Sequence, residues 1–172
     1  GRGLIEIDAS ASSGDLVFGP LTRINEDTFA FQSGTGVNTV DLGKTGGPGA
    51  DAVTLSADGN WSFDFSMAAA GSELRFIDAE IPTGGGVTAE LSIDLGSGTS
   101  LVFADTGDAI DVDFSDLASF SLTADGPTTV EIEAGARVVM NGADAQAAIS
   151  SGITFTGDGV LRVLGTSGDD ML

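Results

Sequence analysis

The stretch Leu91-Ser92-Ile93-Asp94-Leu95 places its apolar side chains two positions apart, with a polar residue between each pair. This alternation predicts a β-strand with one face in a core and the other in water. The same pattern recurs at residues 5–7, 63–65, 110–114, 120–122, 130–132 and 153–155. Glycine, aspartate, asparagine, serine and proline fill the gaps and supply turns. The chain is therefore predicted to be all-β.

The spacing of the apolar clusters limits the possible β architectures. Most of their centres follow one another at about ten residues, which is typical of an antiparallel β-sandwich or of stacked repeats. Glycine is abundant, at 26 residues, and recurs beside the strands. The turns carry Asp and Ser more than the Asn-Gly pairs of two-residue hairpins. We therefore predict a parallel β-solenoid (β-helix or β-roll), with an antiparallel β-sandwich as the alternative.

We also predict short helical insertions at residues 143–149 and 66–70. No linker rich in proline or serine divides the sequence convincingly. Residues 1–172 are therefore expected to form a single β-rich segment, a fragment of a longer repetitive protein.

The charge excludes several partners. Twenty-six acidic residues face six basic ones, for a net charge of −20. Nucleic acids and anionic membrane surfaces are bound through Lys and Arg, so neither is expected as a partner. No run approaches the ~18 apolar residues of a membrane span, so no membrane insertion is expected. A compact chain with this charge repels itself, and bound cations, salt or dispersal of the acids must offset the repulsion.

The chain contains neither cysteine nor histidine. This excludes zinc sites built on those residues, and catalytic triads and cysteine nucleophiles in their common forms. Without disulfides, an exported protein must be held together by its core, by metals or by assembly. We expect no enzymatic activity.

The most specific motif is Gly46-Gly47-Pro48-Gly49-Ala50-Asp51-Ala52-Val53-Thr54. It fits the nonapeptide pattern G-G-x-G-x-D-x-U-x, in which U is a large apolar residue. The glycines let the backbone turn tightly and expose its carbonyls, and the aspartate joins those carbonyls around a calcium ion. Gly46, Gly49 and Asp51 are therefore predicted to form a Ca²⁺ site.

Three further stretches vary this motif. A second copy is Gly165-Thr166-Ser167-Gly168-Asp169-Asp170-Met171-Leu172, in which Gly168 and Asp170 are the candidate calcium-site residues. A weaker copy at residues 33–41 has Asn38 in place of the aspartate. A fourth, at residues 95–102, keeps its glycines without the carboxylate and is predicted to be a turn.

These motifs resemble the RTX family of calcium-binding nonapeptide-repeat proteins, which are exported by type I secretion and include toxins, proteases, adhesins and surface-layer proteins. Residues 7–18 and 31–40 are similar to repetitive regions of its surface-layer and adhesin members. The resemblance implies a parallel β-roll with calcium between turns, and Asp51, Asp170 and then Asn38 as ligands. One departure is the offset between the copies at 33–41 and 46–54, which is 13 residues rather than nine or eighteen.

Taken together, these features predict a structural or assembly segment of a secreted bacterial surface-layer, matrix or adhesin protein. We expect it at the extracellular cell surface, with calcium supporting folding or assembly. Its expected partners are copies of itself or neighbouring repeats of the same protein.

The alternative function is a carbohydrate-binding or polysaccharide-modifying β-helix, with cell-surface polysaccharide as partner. It depends on the carboxylates Asp105, Asp108, Asp111 and Asp113 and on the aromatic residues Trp61, Phe63 and Phe65. Paired carboxylates can serve acid/base chemistry and aromatic rings can stack on sugars. The simpler interpretations are a solvated acidic strand face and core packing, so no catalytic residue is assigned.

Overall fold

The structure is a computed structural model, and it describes residues 4–21, 28–43, 55–79, 81, 84–105 and 111–165. Within these ranges there are fourteen β-strands, one α-helix and a 3-10 turn at Phe114–Asp116. The strands are β1 (Leu4–Asp8), β2 (Leu16–Leu21), β3 (Thr28–Gln32), β4 (Asn38–Gly43), β5 (Asn60–Phe65), β6 (Glu73–Ile77), β7 (Glu90–Leu95), β8 (Ser100–Ala104), β9 (Asp111–Asp113), β10 (Ser119–Ala124), β11 (Thr128–Ile132), β12 (Arg137–Asn141), β13 (Ile153–Thr156) and β14 (Val160–Leu164). The helix α1 spans Gly142–Ser150.

The strands form three sheets. Sheet A has the order β1-β3-β5-β7-β10, sheet B the order β13-β11-β8-β6-β4-β2, and sheet C the order β14-β12-β9. From β1 to β8 the chain enters sheets A and B alternately, and each strand pairs with the one before it in the same sheet. Every strand pair in the described residues is parallel. The all-β prediction is therefore confirmed, and the parallel pairing does not fit an antiparallel sandwich.

The core lies between the apolar faces of these sheets. In sheet A, Phe29 pairs with Trp61 and Phe31 with Phe63, so aromatic rings follow one another along the inner face. Phe63 of sheet A meets Phe76 of sheet B edge to face, with ring centroids 5.7 Å apart. Such pairs add about 0.5–1.5 kcal/mol beyond the burial of their area. Sheets A and B therefore face each other across one shared core.

Helix α1 lies between β12 of sheet C and β13 of sheet B. In the preceding turns of the chain, the corresponding position is occupied by a strand of sheet A. The helix packs on β10, the last strand of that sheet, and buries Ala145 and Ala148. The Ser151 hydroxyl just after it accepts a hydrogen bond from the Ala124 amide at 3.1 Å. The insertion predicted at 143–149 is thus helical, whereas residues 66–70 form turns and irregular backbone.

Successive turns between sheets A and B stack closely. A Cβ at Gly34 would overlap the carbonyl oxygens of Ser12 and Ala9, and one at Gly36 would overlap the backbone of Gly14. Glycine is required at these two positions because the backbone of one turn lies directly against that of the previous turn. Gly14 itself has open space where a Cβ would lie.

This difference gives a matched pair of variants. Gly36→Ala should lower the free energy of unfolding by about 1–3 kcal/mol, because the added methyl group overpacks the turn. Gly14→Ala should leave it unchanged or raise it slightly, since the unfolded chain loses freedom without a clash. Urea unfolding of both proteins measures the difference, and equal effects would contradict the stacked turns.

Candidate functional site

Most of the predicted calcium ligands fall outside the described residues. These are Gly46, Gly49, Asp51, Gly168 and Asp170. Asn38 is the member of the predicted set that the structure describes.

Asn38 begins β4 and its side chain is fully buried. Its Nδ2 donates hydrogen bonds to the carbonyl oxygens of Gly34 and Gly36, at 3.1 and 2.7 Å. Its backbone amide donates to the Ser72 hydroxyl at 2.8 Å. The glycine carbonyls that would coordinate calcium are therefore held by an amide N–H. The Asn38 Oδ1 atom, which would coordinate calcium, is buried and accepts no hydrogen bond within the described residues. Coordination by Asn38 stays a prediction.

Asn38 belongs to a row of buried polar side chains at the start of the sheet B strands. The row consists of Asn38, Ser72, Thr99 and Thr128, which we call the polar column. The strand register places the four beside one another in successive passes of the chain. Leu16 lies next to Asn38 at one end, and Ile153 lies next to Thr128 at the other. The polar column is therefore closed by an apolar residue at each end.

Each hydroxyl in the polar column binds a carbonyl of a turn. Ser72 Oγ donates to the Ala69 oxygen at 2.7 Å, and Thr99 Oγ1 donates to the Gly96 oxygen at 2.7 Å. Thr128 Oγ1 reaches the same Gly96 oxygen at 3.1 Å. The Ala69 and Gly96 oxygens also accept the backbone amides of Ser72 and Thr99, at 3.1 and 3.2 Å. The hydroxyls therefore add a further donor to each turn carbonyl and satisfy their own hydrogen-bonding need inside the stack. The copies of the motif at 33–41 and 95–102 both contribute such turns, as predicted for the fourth copy.

A second recurrent arrangement lies at strand ends, where an aspartate binds the serine two residues later. The Oδ1 atoms of Asp8, Asp64 and Asp113 each accept from both the amide and the hydroxyl of that serine, at 2.5–2.9 Å. The Ser10 hydroxyl, followed by its backbone amide, lowers the pKa of Asp8 below its ordinary value. These aspartates have a structural role in closing the strand.

The structure describes three members of the predicted carboxylate cluster, Asp105, Asp111 and Asp113. Asp113 caps the 3-10 turn, Asp111 lies on β9, Asp105 follows β8, and Asp108 lies outside the described ranges. In the described part of the chain, no three carboxylates are close enough to share a metal ion.

The aromatic strand is part of the core. Trp61, Phe63 and Phe65 are each at most 1% exposed. Their burial confirms the core-packing interpretation and leaves none of these rings available to stack on a sugar.

The outer face of sheet A is polar and forms a shallow trough of about 200 Å³. It is lined by Glu6, Ile7, Asp8, Ala30, Phe31, Gln32, Ser62 and Asp64. The small side chains Ala30 and Ser62 form its floor, and the register continues this row to Ser92 and Ser121. We call this surface the sheet A trough.

Asp94 lies beside Asp64 on the neighbouring strand of sheet A. Burial raises its pKa above the ordinary value, the nearby charges of Asp125 and Asp64 add to the rise, and a hydrogen bond from Thr123 opposes it. Like charges facing each other across neighbouring strands destabilise a sheet. The ionised form of Asp94 is therefore disfavoured in the folded state.

Comparison with known proteins gives no match: no protein-family model, curated protein or solved structure is similar to the chain. Helix α1, with nine residues, is too short to cross a bilayer, and the described residues contain no longer apolar helix.

The polar column can be tested by removing one hydroxyl. Ser72→Ala should lower the free energy of unfolding by about 1–3 kcal/mol, because the buried Asn38 amide loses its acceptor and the Ala69 carbonyl loses one of its two donors. Ser92→Ala on the exposed face of sheet A should change it by less than about 0.5 kcal/mol. Urea unfolding measures both, and a Ser72 variant as stable as the Ser92 variant would refute the role of the polar column.

The two shifted aspartates predict opposite pH effects. The lowered pKa of Asp8 stabilises the fold above the pKa of the unfolded chain, and this gain disappears as the pH falls through the folded pKa. The raised pKa of Asp94 imposes a cost at neutral pH that is relieved on acidification. At pH 7, Asp8→Asn should therefore destabilise the protein and Asp94→Asn should stabilise it.

The Asp94→Asn difference should fade as the pH falls through the raised folded pKa of Asp94. The Asp8→Asn difference should fade only below the ordinary aspartate pKa of about 3.9, as the pH falls through the lowered folded pKa of Asp8. Chemical unfolding from neutral pH downward measures both differences. A stability difference that does not depend on pH in either variant would contradict the assignment.

Proposed function

We propose that the chain is a parallel β-solenoid that serves as a structural assembly segment of a secreted bacterial surface-layer, matrix or adhesin protein. The alternation of strands between sheets A and B, with parallel pairing throughout the described residues, supports a coiled path. Paired residues lie 21 to 34 positions apart, as for Leu21 with Leu42 and Thr39 with Glu73. These passes are longer than the ~18 residues of two nonapeptides, so this coil would be wider than an RTX β-roll.

The observation that carries the proposal is the apolar edge at each end of the sheets. At one end, Ile5 and Ile7 of β1 and Leu16 and Phe18 of β2 pack on the core but are only partly buried. β1 and β2 each pair on one side only among the described strands. Unpaired strand edges offer N–H and C=O groups to a further strand. Such an end suits continued stacking on another copy or on a neighbouring repeat.

The opposite end has the same character. Phe155 of β13 and Leu161 and Val163 of β14 are partly buried against the core. β13 and β14 are also the last described strands of sheets B and C. Two open ends favour a role in assembly, since residues of this kind are shielded from water only when a further layer covers them.

Calcium is the proposed aid to this assembly. With a net charge of −20, two copies repel each other, and a divalent cation bound near Asp51 or Asp170 lowers that repulsion. The motif at 46–54 supports this part of the proposal.

Calcium dependence is tested by thermal melting. The melting temperature should rise when EGTA is replaced by millimolar calcium, by an amount equivalent to about 2.7 kcal/mol at a hundredfold excess over the dissociation constant. Asp51→Ala together with Asp170→Ala should abolish the rise. Asp58→Ala, which removes an exposed turn carboxylate, should preserve it. An unchanged midpoint in the wild type would exclude calcium as a folding ligand.

The sheet A trough supports a second candidate, the binding of an uncharged glycan chain. Its carboxylates accept hydrogen bonds, so hydroxyl groups suit it and uronic acids do not. Affinity electrophoresis in gels containing neutral polysaccharide tests it, with Ser62→Phe as the trough-filling variant and Thr129→Phe on sheet B as control. If the wild type bound a defined oligosaccharide while remaining monomeric, the assembly proposal would be replaced by this one.

A further inference from the structure

The two open edges of sheet B match each other residue by residue. On β2, Leu16 and Phe18 face the core and Val17 points outward with 75% of its surface exposed. On β13, Ile153 and Phe155 face the core and Thr154 is exposed. Each edge thus presents an aliphatic and an aromatic side chain inward, with one outward side chain between them.

The register of sheet B assigns these residues to the same two inner rows. Leu16 and Ile153 close the two ends of the polar column. Phe18 and Phe155 close the ends of the neighbouring row, which runs through Val40, Leu74, Leu101 and Val130. A second copy added in the same register would place Leu16 against Ile153 and Phe18 against Phe155. Both contacts are apolar, and no polar side chain of the column would be exposed or left against a hydrophobic one.

We propose that copies of this chain stack head to tail, with β13 of one copy pairing in parallel with β2 of the next. This inference rests on the proposed assembly function and specifies its interface. The alternation fixes the pairs: Ile153 with Leu16, Thr154 with Val17, and Phe155 with Phe18 of the neighbouring copy.

Charge favours this polarity over a symmetric contact between two β2 edges. Residues 4–18 contain three acidic side chains and no basic one, namely Glu6, Asp8 and Asp15. Residues 137–165 contain two of each, namely Arg137, Arg162, Asp144 and Asp158. Among the described residues, head-to-tail contact therefore sets an acidic end against an end whose charges cancel; Arg2, Asp169 and Asp170 lie outside these residues. A contact between two β2 ends would oppose two sets of three negative charges, and like-charge contacts reduce association.

Helix α1 restricts the hydrogen-bonded contact to sheet B. It covers β10, so β1 of an added copy would meet a helix and not a free strand edge. Ile149 on α1 is 46% exposed and offers apolar surface to Ile5 and Ile7 of the next copy. Because β2 and β13 are different surfaces, the interface is heterologous, and repeated stacking gives an open filament rather than a closed dimer.

Cysteine cross-linking tests this arrangement, since the chain has no cysteine of its own. Val17→Cys and Thr154→Cys place one thiol on each edge, on outward side chains expected to lie opposite each other. Within one molecule these positions lie at opposite ends of six strands, about 24 Å apart, so they cannot join intramolecularly. The proteins are held in millimolar calcium and high salt, treated with oxidant or a short bismaleimide, and separated by denaturing electrophoresis.

The cross-linked products distinguish head-to-tail stacking from a symmetric contact. The double variant should give a ladder of dimers, trimers and longer products, and an equal mixture of the single variants should give dimers only. Each single variant alone should give no more product than Ser92→Cys, which reports random collisions on the exposed face of sheet A.

Two outcomes separate this inference from the proposed function. Sedimentation velocity of the wild type reports whether the chain associates at all under these conditions. A wild type that stays monomeric would overturn both proposals. Association with cross-linking of Val17→Cys to itself, or without cross-linking in any variant, would overturn the head-to-tail inference and leave assembly standing.

Discussion

The stacking of turns depends on satisfying backbone carbonyls that point into the interior. When one turn lies directly on the previous one, these carbonyls lose contact with water and need partners within the protein. The polar column supplies those partners: Asn38 binds the carbonyls of Gly34 and Gly36, and the hydroxyls of Ser72 and Thr99 bind the turns that precede them. Each bond contributes modestly, and the carbonyls of Gly36, Ala69 and Gly96 each accept a backbone amide as well. The column thus also favours one register of sheet B, because a shift by one residue would turn its side chains to the outer face and away from these carbonyls.

The strands with clear alternation were predictable from sequence. Residues 63–65, 91–95 and 130–132 lie in β5, β7 and β11, as their period of two indicates. Other strands carried weaker signals, and β2 is interrupted by Gly19 and Pro20 in its sequence. The direction of pairing was harder to predict, since alternation is the same for a parallel and an antiparallel sheet. Because the passes differ in length, no fixed repeat period exposes the parallel stacking.

The role of polar residues was the least predictable part. Asn38 and Thr99 occupy similar turns, and only burial and hydrogen bonding show that both serve the interior. The aspartate–serine pairs at Asp8 and Asp64 likewise close strands. Part of the high aspartate content therefore has a structural cause that composition alone does not separate from metal binding. Calcium binding at Asp51 and Asp170 stays a prediction that follows from their motifs.

The polar column is part of the stable interior of the protein, and native-state hydrogen exchange at the Asn38 amide tests this most directly. This amide donates to the Ser72 hydroxyl inside the stack. We predict that it exchanges only on global unfolding, with the same free energy and urea dependence as unfolding of the whole protein. Exchange by local opening, at a rate similar to that of the exposed turn residue Gly14, would contradict it.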